Sequence, residues 1–238
     1  MHRTLAAALL AGLLLAASAG AQRFTDDEHT RLLATYNAGI DADRAVASPL
    51  ATGRAELVDT PCGRGIHASK GWFDPAMSLL DLERFPLFVP LTYAAANLDP
   101  LQGTLEMFVW LEPVVNPEYF RRLMTYGTPQ VFAFLALRPT PEKRTLIAYV
   151  EHGEGAKTVS VDFPYDLNEQ WHHVGMQWDA QHLGVIVDGQ LVGQRALSTP
   201  GLPAPIGRIA IGGHERGVNT TEGTIDELRI SDVPRYPW

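Results

Sequence analysis

Two histidines, His172 and His173, stand side by side in QWHHVGMQWD, residues 170–179. Adjacent imidazoles are the material of metal sites and of acid–base chemistry. Either use needs the two rings to converge on one point. The stretch alternates like a β-strand, and on a strand neighbouring side chains point to opposite faces. His172 then falls with Val174, Met176 and Trp178, on the apolar side. His173 falls with Trp171, Gly175 and Gln177. The rings diverge and cannot clasp one ion, so the pair reads as hydrogen-bonded imidazoles at the entrance of a strand. The chain has no H-x-H and no H-E-x-x-H pattern, and His29, His67, His152, His182 and His214 are scattered.

Glycoside hydrolysis needs two carboxyl groups, about 5 Å apart for retention and further apart for inversion. Glu112 ends its strand at Pro113, Glu151 and Glu154 flank a Gly-rich turn, and Glu222 and Asp226 straddle the start of a strand. None forms such a pair. No nucleophile elbow or phosphate-cradling loop appears. GGHERG, residues 212–217, follows a strand with no helical pattern after it and reads as a loop.

Two other residue classes remain. Asp226 shares alternation parity with Leu228 and Ile230, the apolar side of TIDELRI. A carboxylate facing inward must be paired, capped by backbone N–H groups or bound to a cation. The other class is aromatic, since a pyranose ring stacks on an exposed aromatic face. Trp110 and Phe108 lie opposite Leu105 and Val109, Tyr149 lies opposite Leu146 and Ala148, and Trp72 and Phe73 sit in a Gly/Asp/Pro-flanked loop. Trp110, Tyr149 and Trp72 are the ligand-contact candidates. The alternative is burial under neighbouring segments, the commoner fate of large aromatics.

The elements that must position these residues are strands. GTLEMFVWLEP puts Leu105, Met107, Val109 and Leu111 on one face, and Thr104, Glu106, Phe108 and Trp110 on the other. TVSVDF and RIAIGG alternate likewise, whereas VFAFLALR and TLIAYVE are apolar on both parities, as central strands can be. Asp188-Gly189 predicts a tight type I′ hairpin turn. RPTPEKR and EHGEG predict further turns. Helical signal is thin: a capping box at Thr25 and Glu28 before His29–Leu33, one turn at Asn116–Glu118, and a short helix over residues 76–85. About 12–14 strands predict an all-β fold of two packed antiparallel sheets.

The chain opens with a basic start, an apolar run from Leu5 to Ala17 and a small-residue ending at Ala21. This predicts a signal peptide over residues 1–21, a lead-in over 22–31 and one domain over 32–238. The protein is then secreted or periplasmic, with no membrane span after cleavage. The 238 residues carry 19 Lys and Arg against 27 Asp and Glu, a net charge of −8. Such a balance argues against nucleic acid or anionic membranes as partners. The single cysteine, Cys62, makes no intrachain disulfide and reads as a loop or strand-edge thiol.

LTYAAANLDPLQGTLEMFVWLEP, EQWHHVGMQWDAQHLGVIVDGQLVG, IGRIAIGG and EGTIDELRISDVPRY occur in that order. Together they resemble the laminin-G-like, concanavalin A-like lectin/glucanase jelly-roll superfamily, particularly its bacterial secreted members, over residues 32–235. Trp171-His172-His173-Val174, Trp178-Asp179, Val187-Asp188-Gly189 and Ile225-Asp226-Glu227-Leu228-Arg229-Ile230 carry the likeness. Glucanases of this fold present E-x-D-x-E or E-x-D-x-x-E on one strand, which is absent here. The resemblance also implies one structural Ca²⁺ between an early acidic loop and the last strand, with Asp41, Asp43 and Asp226 as ligands and Asn37 nearby. The fold hosts many functions. The expectation is a non-catalytic module binding carbohydrate or a cell-surface partner. A polysaccharide-active enzyme and a scaffold protein without a small ligand are the alternatives.

Overall fold

A computed structural model describes residues 24–68, 89–113, 120–128, 131–139, 144–153, 159–164, 167, 169–204, 207–214 and 219–238. The expected signal peptide, the candidates Trp72 and Phe73, and the helices expected at 76–85 and 116–118 lie outside them.

The described residues form sixteen strands. These are β1 (Thr30–Ala34), β2 (Arg44–Ala45), β3 (Thr52–Arg54), β4 (Glu56–Thr60), β5 (Gly63–Ala68), β6 (Val89–Ala94), β7 (Gly103–Leu111) and β8 (Arg121–Gly127). They continue with β9 (Phe132–Pro139), β10 (Arg144–Glu151), β11 (Val159–Pro164), β12 (Trp171–Trp178), β13 (His182–Val187), β14 (Gln190–Ala196), β15 (Arg208–Ile211) and β16 (Gly223–Ser231). One sheet runs β14-β13-β12-β7-β16-β1-β2, with β5 on β16 and β4 on β5; the other runs β11-β10-β9-β8-β15-β6-β3. All pairings are antiparallel. The fold is the expected two-sheet sandwich. The strand count exceeds the expectation partly through short edge pieces such as β2 and β3.

One continuous core fills the space between the sheets. Leu105, Met107, Val109 and Leu111 of β7 meet Val174, Met176 and Trp178 of β12 there, with Leu135, Leu146 and Ala148 from the facing sheet. Trp178 is fully buried, and its indole N–H donates to the Asp99 carbonyl at 2.9 Å, which satisfies the polar atom that burial would otherwise strand. Asp188 and Gly189 have φ of 47° and 78°. They form the expected hairpin turn between β13 and β14, since both central residues of a type I′ turn need positive φ.

Two expectations fail. Residues around His29–Leu33 form β1, not a capped helix. β16 offers a free edge, and pairing Leu32 with Ile230 and Ala34 with Leu228 buries both apolar side chains. Tertiary pairing outweighs the local helix signal. Asp226 does not share the face of Leu228. A β-bulge at Glu227, φ 45°, interrupts β16, so Asp226 pairs with Phe108 while Leu228 pairs with Met107. The inserted residue reverses the parity from there on. It also divides the free edge of β16 between β5 and β1.

Candidate functional site

The outer face of the nine-stranded sheet is polar by sequence yet closed in the structure. Thr104, Glu106, Phe108, His173 and Gln177 point to it, and all are buried. Residues 24–29 and the segment after β16 cover it. Tyr236 and Gln177 exchange a reciprocal pair of hydrogen bonds, 3.1 and 2.9 Å, and Thr104 receives the Arg235 N–H at 3.0 Å. Asp27 and Arg235 form a bidentate ion pair at 2.8 and 2.9 Å that joins lead-in to tail. Residues 24–29, part of the lead-in expected over 22–31, pack against this sheet.

Glu106 lies at the centre of this cover, with no exposed surface. Oε2 accepts hydrogen bonds from His173 Nε2 at 2.9 Å and Tyr236 OH at 2.7 Å, and Oε1 from Arg229 Nε at 2.8 Å. Burial pushes the carboxyl up, but the His173 hydrogen bond, the Arg229 charge and the Tyr236 hydroxyl outweigh it and hold it below its ordinary range. The Gly189 N–H donates to His173 Nδ1 at 3.1 Å, which assigns the proton to Nε2. Phe24 closes the roof, tilted on Phe108 at 5.1 Å with the Arg229 guanidinium 4.6 Å from its ring centre. Its backbone N–H donates to Glu227 Oε2 at 2.7 Å. Glu106 is fully enclosed, so it ties residues 24–29 and the segment after β16 to the sheet.

The two histidines diverge as strand geometry requires. His172 pairs with Val109 and His173 with Phe108, on opposite faces. His172 Nδ1 lies 3.1 Å from Asp188 Oδ2 at the hairpin. Both rings serve structure.

Each of the three acids expected to hold calcium accepts a separate hydrogen bond through one oxygen. Asp41 accepts from the Ala51 N–H at 2.8 Å, and Asp43 from the Thr35 N–H and hydroxyl at 2.7 and 2.8 Å. Asp226, 2% exposed, accepts from the Thr60 hydroxyl at 2.6 Å. Asn37 accepts from the Arg64 N–H. Among the described residues no three His, Cys, Asp or Glu side chains converge as a metal shell would require. Cys62 sits in the turn between β4 and β5.

The outer face of the seven-stranded sheet also has a buried centre, at Thr125, Phe134, Ala136 and Ile147, with a half-buried rim. Its register builds rows across β8, β9, β10 and β11. One row is Arg122, Ala136, Ile147 and Asp162; the next is Thr125, Phe134, Tyr149 and Ser160. Arg122 and Thr125 are three residues apart and would face opposite ways on a regular strand. A bulge at Leu123 puts both outward. The apolar outward parity of β9 and β10 becomes a second cluster, separate from the core. Phe134 stacks on Tyr149 at 4.7 Å and 10°, and Phe132 on Tyr149 at 5.5 Å and 22°. Phe120 meets Phe134 edge-on at 6.0 Å. Arg122 lies over Phe134 at 4.7 Å, and Arg138 over Phe120 at 5.6 Å. Phe134 is only 6% exposed, while Phe120, Phe132, Tyr149 and Arg122 form a half-buried rim. The Tyr149 hydroxyl donates to Glu151 Oε2 at 3.0 Å.

Trp110 and Tyr149 therefore cannot share a site. Trp110 is half-buried on the nine-stranded sheet, paired with Trp171 and Thr224, on the opposite side of the sandwich. Of this cluster, sequence reasoning singled out Tyr149 and did not name Phe120, Phe132, Phe134 or Arg122. The two-sided apolarity of VFAFLALR was the available signal, but it reads equally as a fully buried strand.

Fold and surface together define a concanavalin A-type β-sandwich that carries an aromatic cluster on the outer face of its seven-stranded sheet. The chain belongs to the concanavalin A-like lectin/glucanases superfamily, whose Laminin_G_3 family model matches residues 91–237. Among solved structures it is similar to domain 4 of AbnA, a GH43 extracellular arabinanase from Geobacillus stearothermophilus, in complex with arabinotriose. That likeness has a TM-score of 0.57 at 15% identity, over 87% of this chain and 94% of that one. It is also similar to the Ruminococcus gnavus IT-sialidase CBM40, with a TM-score of 0.51 at 15% identity, over 77% of this chain and 91% of that one. A third likeness is to botulinum neurotoxin type C, from a study of its interaction with two ganglioside molecules. There the TM-score is 0.58 at 8% identity, over 86% of this chain and 48% of that one, so this chain spans about half its length. These likenesses concern the fold. No curated protein matches the chain.

Proposed function

We propose that the protein is a non-catalytic recognition module that binds carbohydrate on a cell-surface or extracellular partner through the outer face of its seven-stranded sheet. The observation that carries this is the aromatic cluster of Phe120, Phe132, Phe134 and Tyr149 with Arg122, outside the core and half-buried at its rim. Aromatic edges and faces beside hydroxyl and carboxylate groups suit the mixed apolar and polar surface of a sugar. The similar solved structures support the reading, since their names include a complex with arabinotriose, a carbohydrate-binding module and a ganglioside interaction. The leader expected over residues 1–21 fits export to where such partners occur.

A glycan array probed with the mature chain tests this. Binding to a subset of glycans, lost in Phe132→Ala and Tyr149→Ala, is the expected result. No binding to any glycan by a folded protein would favour the scaffold alternative. Release of product from a polysaccharide panel would favour the enzyme.

A further inference from the structure

Arg122 differs from the other enclosed arginines. Arg121 holds Glu222 at 2.8 Å, Arg229 holds Glu106 at 2.7 Å and Arg235 holds Asp27 at 2.8 Å. Arg122 lies within ion-pair distance of no carboxylate among the described residues. Among the described residues its buried Nε has no hydrogen-bond acceptor, and its side chain makes one long hydrogen bond, 3.4 Å from Nη1 to Thr125 Oγ1. Burial alone pulls its pKa down, with no acid to offset it. In a chain with 27 acidic side chains against 19 basic ones, a desolvated guanidinium left unpaired is costly. One of its faces is taken by Phe134. The in-plane fork of N–H groups is the part that a planar oxyanion would satisfy. Asp162 lies in the same row but three strand spacings away, about 14 Å, with Ala136 and Ile147 between.

We propose that Arg122 is the anchoring cation of a subsite for carboxylate-bearing sugars, sialic or hexuronic acids, whose ring lies against the Phe132 and Tyr149 rim. This rests on the recognition reading above and adds the charge class of the ligand. The carboxylate takes the unpaired guanidinium fork, and the sugar ring takes the aromatic edges. The bulge at Leu123 turns the cation to that face.

The test uses the mature chain with three probes: 3′-sialyllactose, trigalacturonate and lactose, each titrated by calorimetry. At least one acidic probe should bind tenfold or more tightly than lactose. Arg122→Gln should lose at least tenfold more affinity for that probe than for lactose. Arg138→Gln should change neither by more than about threefold, since its guanidinium is exposed. A second measurement needs no variant: in the ¹⁵N-labelled native chain, the Arg122 Nε–H resonance should shift on addition of the acidic probe and not of lactose. Equal affinity for acidic and neutral probes, or an unmoved Nε–H signal under saturation, overturns the subsite and leaves carbohydrate recognition standing. Failure of all three probes and of every glycan on the array overturns both.

Discussion

His173 donates its Nε2 proton to Glu106 at 2.9 Å beneath a roof of Phe24 and Tyr236, so a buried charge joins the middle of one sheet to both ends of the chain. Glu106→Gln leaves Arg229 facing a neutral amide. We expect a loss of about 3 kcal/mol in unfolding free energy, because removing one partner of a buried pair strands the other. Urea titration of the two proteins measures it.

The same cluster sets the acid limb of stability. Glu106 and Asp27 both titrate lower when folded than a free carboxyl, Glu106 against its burial and Asp27 chiefly through its Arg235 hydrogen bond. Their stabilisation is present above the unfolded carboxyl pKa, about 4, and is lost as pH falls toward the folded values. Melting temperature should be level near neutrality and drop below about pH 4–5. The drop should be shallower in Glu106→Gln.

Phe24 should matter to stability although it precedes the first strand. Its ring touches Phe108, His173 and Arg229. Phe24→Ala should cost about 1–3 kcal/mol, less than a fully enclosed phenylalanine would. Thermal melting checks this. An unchanged melting temperature would mean the lead-in is not a structural cover.

Gly175 explains the small residue in the histidine stretch. A Cβ there would lie 2.7 Å from the Leu105 carbonyl oxygen and 3.0 Å from the Glu106 Cβ. Gly175→Ala should therefore destabilise by about 1–3 kcal/mol through overpacking against β7. Denaturant melts of the variant test it.

Calcium should leave the protein unmoved. Asp41, Asp43 and Asp226 each hold a protein hydrogen bond and do not gather into a shell. Melting curves in EDTA and in millimolar Ca²⁺ are expected to coincide. A rise of several degrees with Ca²⁺ would refute this.

Much of the molecule was legible because its signals are local. Alternation in GTLEMFVWLEP names the core face of β7, and strand parity alone separates His172 from His173. Asp188-Gly189 carries its own turn, since the required positive φ is a property of those two residues. The ordered stretches from LTYAAANLDP to TIDELRISDVP pointed to the superfamily that the chain belongs to.

What only the tertiary structure decided depends on partners far apart in sequence. One inserted residue at Glu227 moved Asp226 to the face of Phe108, and another at Leu123 turned Arg122 outward; no composition or periodicity marks either bulge. The polar parity of β7 is covered by residues 24–29 and the segment after β16, because Asp27 and Arg235 find each other across 208 positions. The double-sided apolarity of β9 could mean burial on both faces or an aromatic surface. Only the register against β8 and β10 shows Phe132, Phe134 and Tyr149 gathered outside the core, with Arg122 among them. A strand's alternation is set by its own backbone, whereas which face meets solvent is set by what else folds against it.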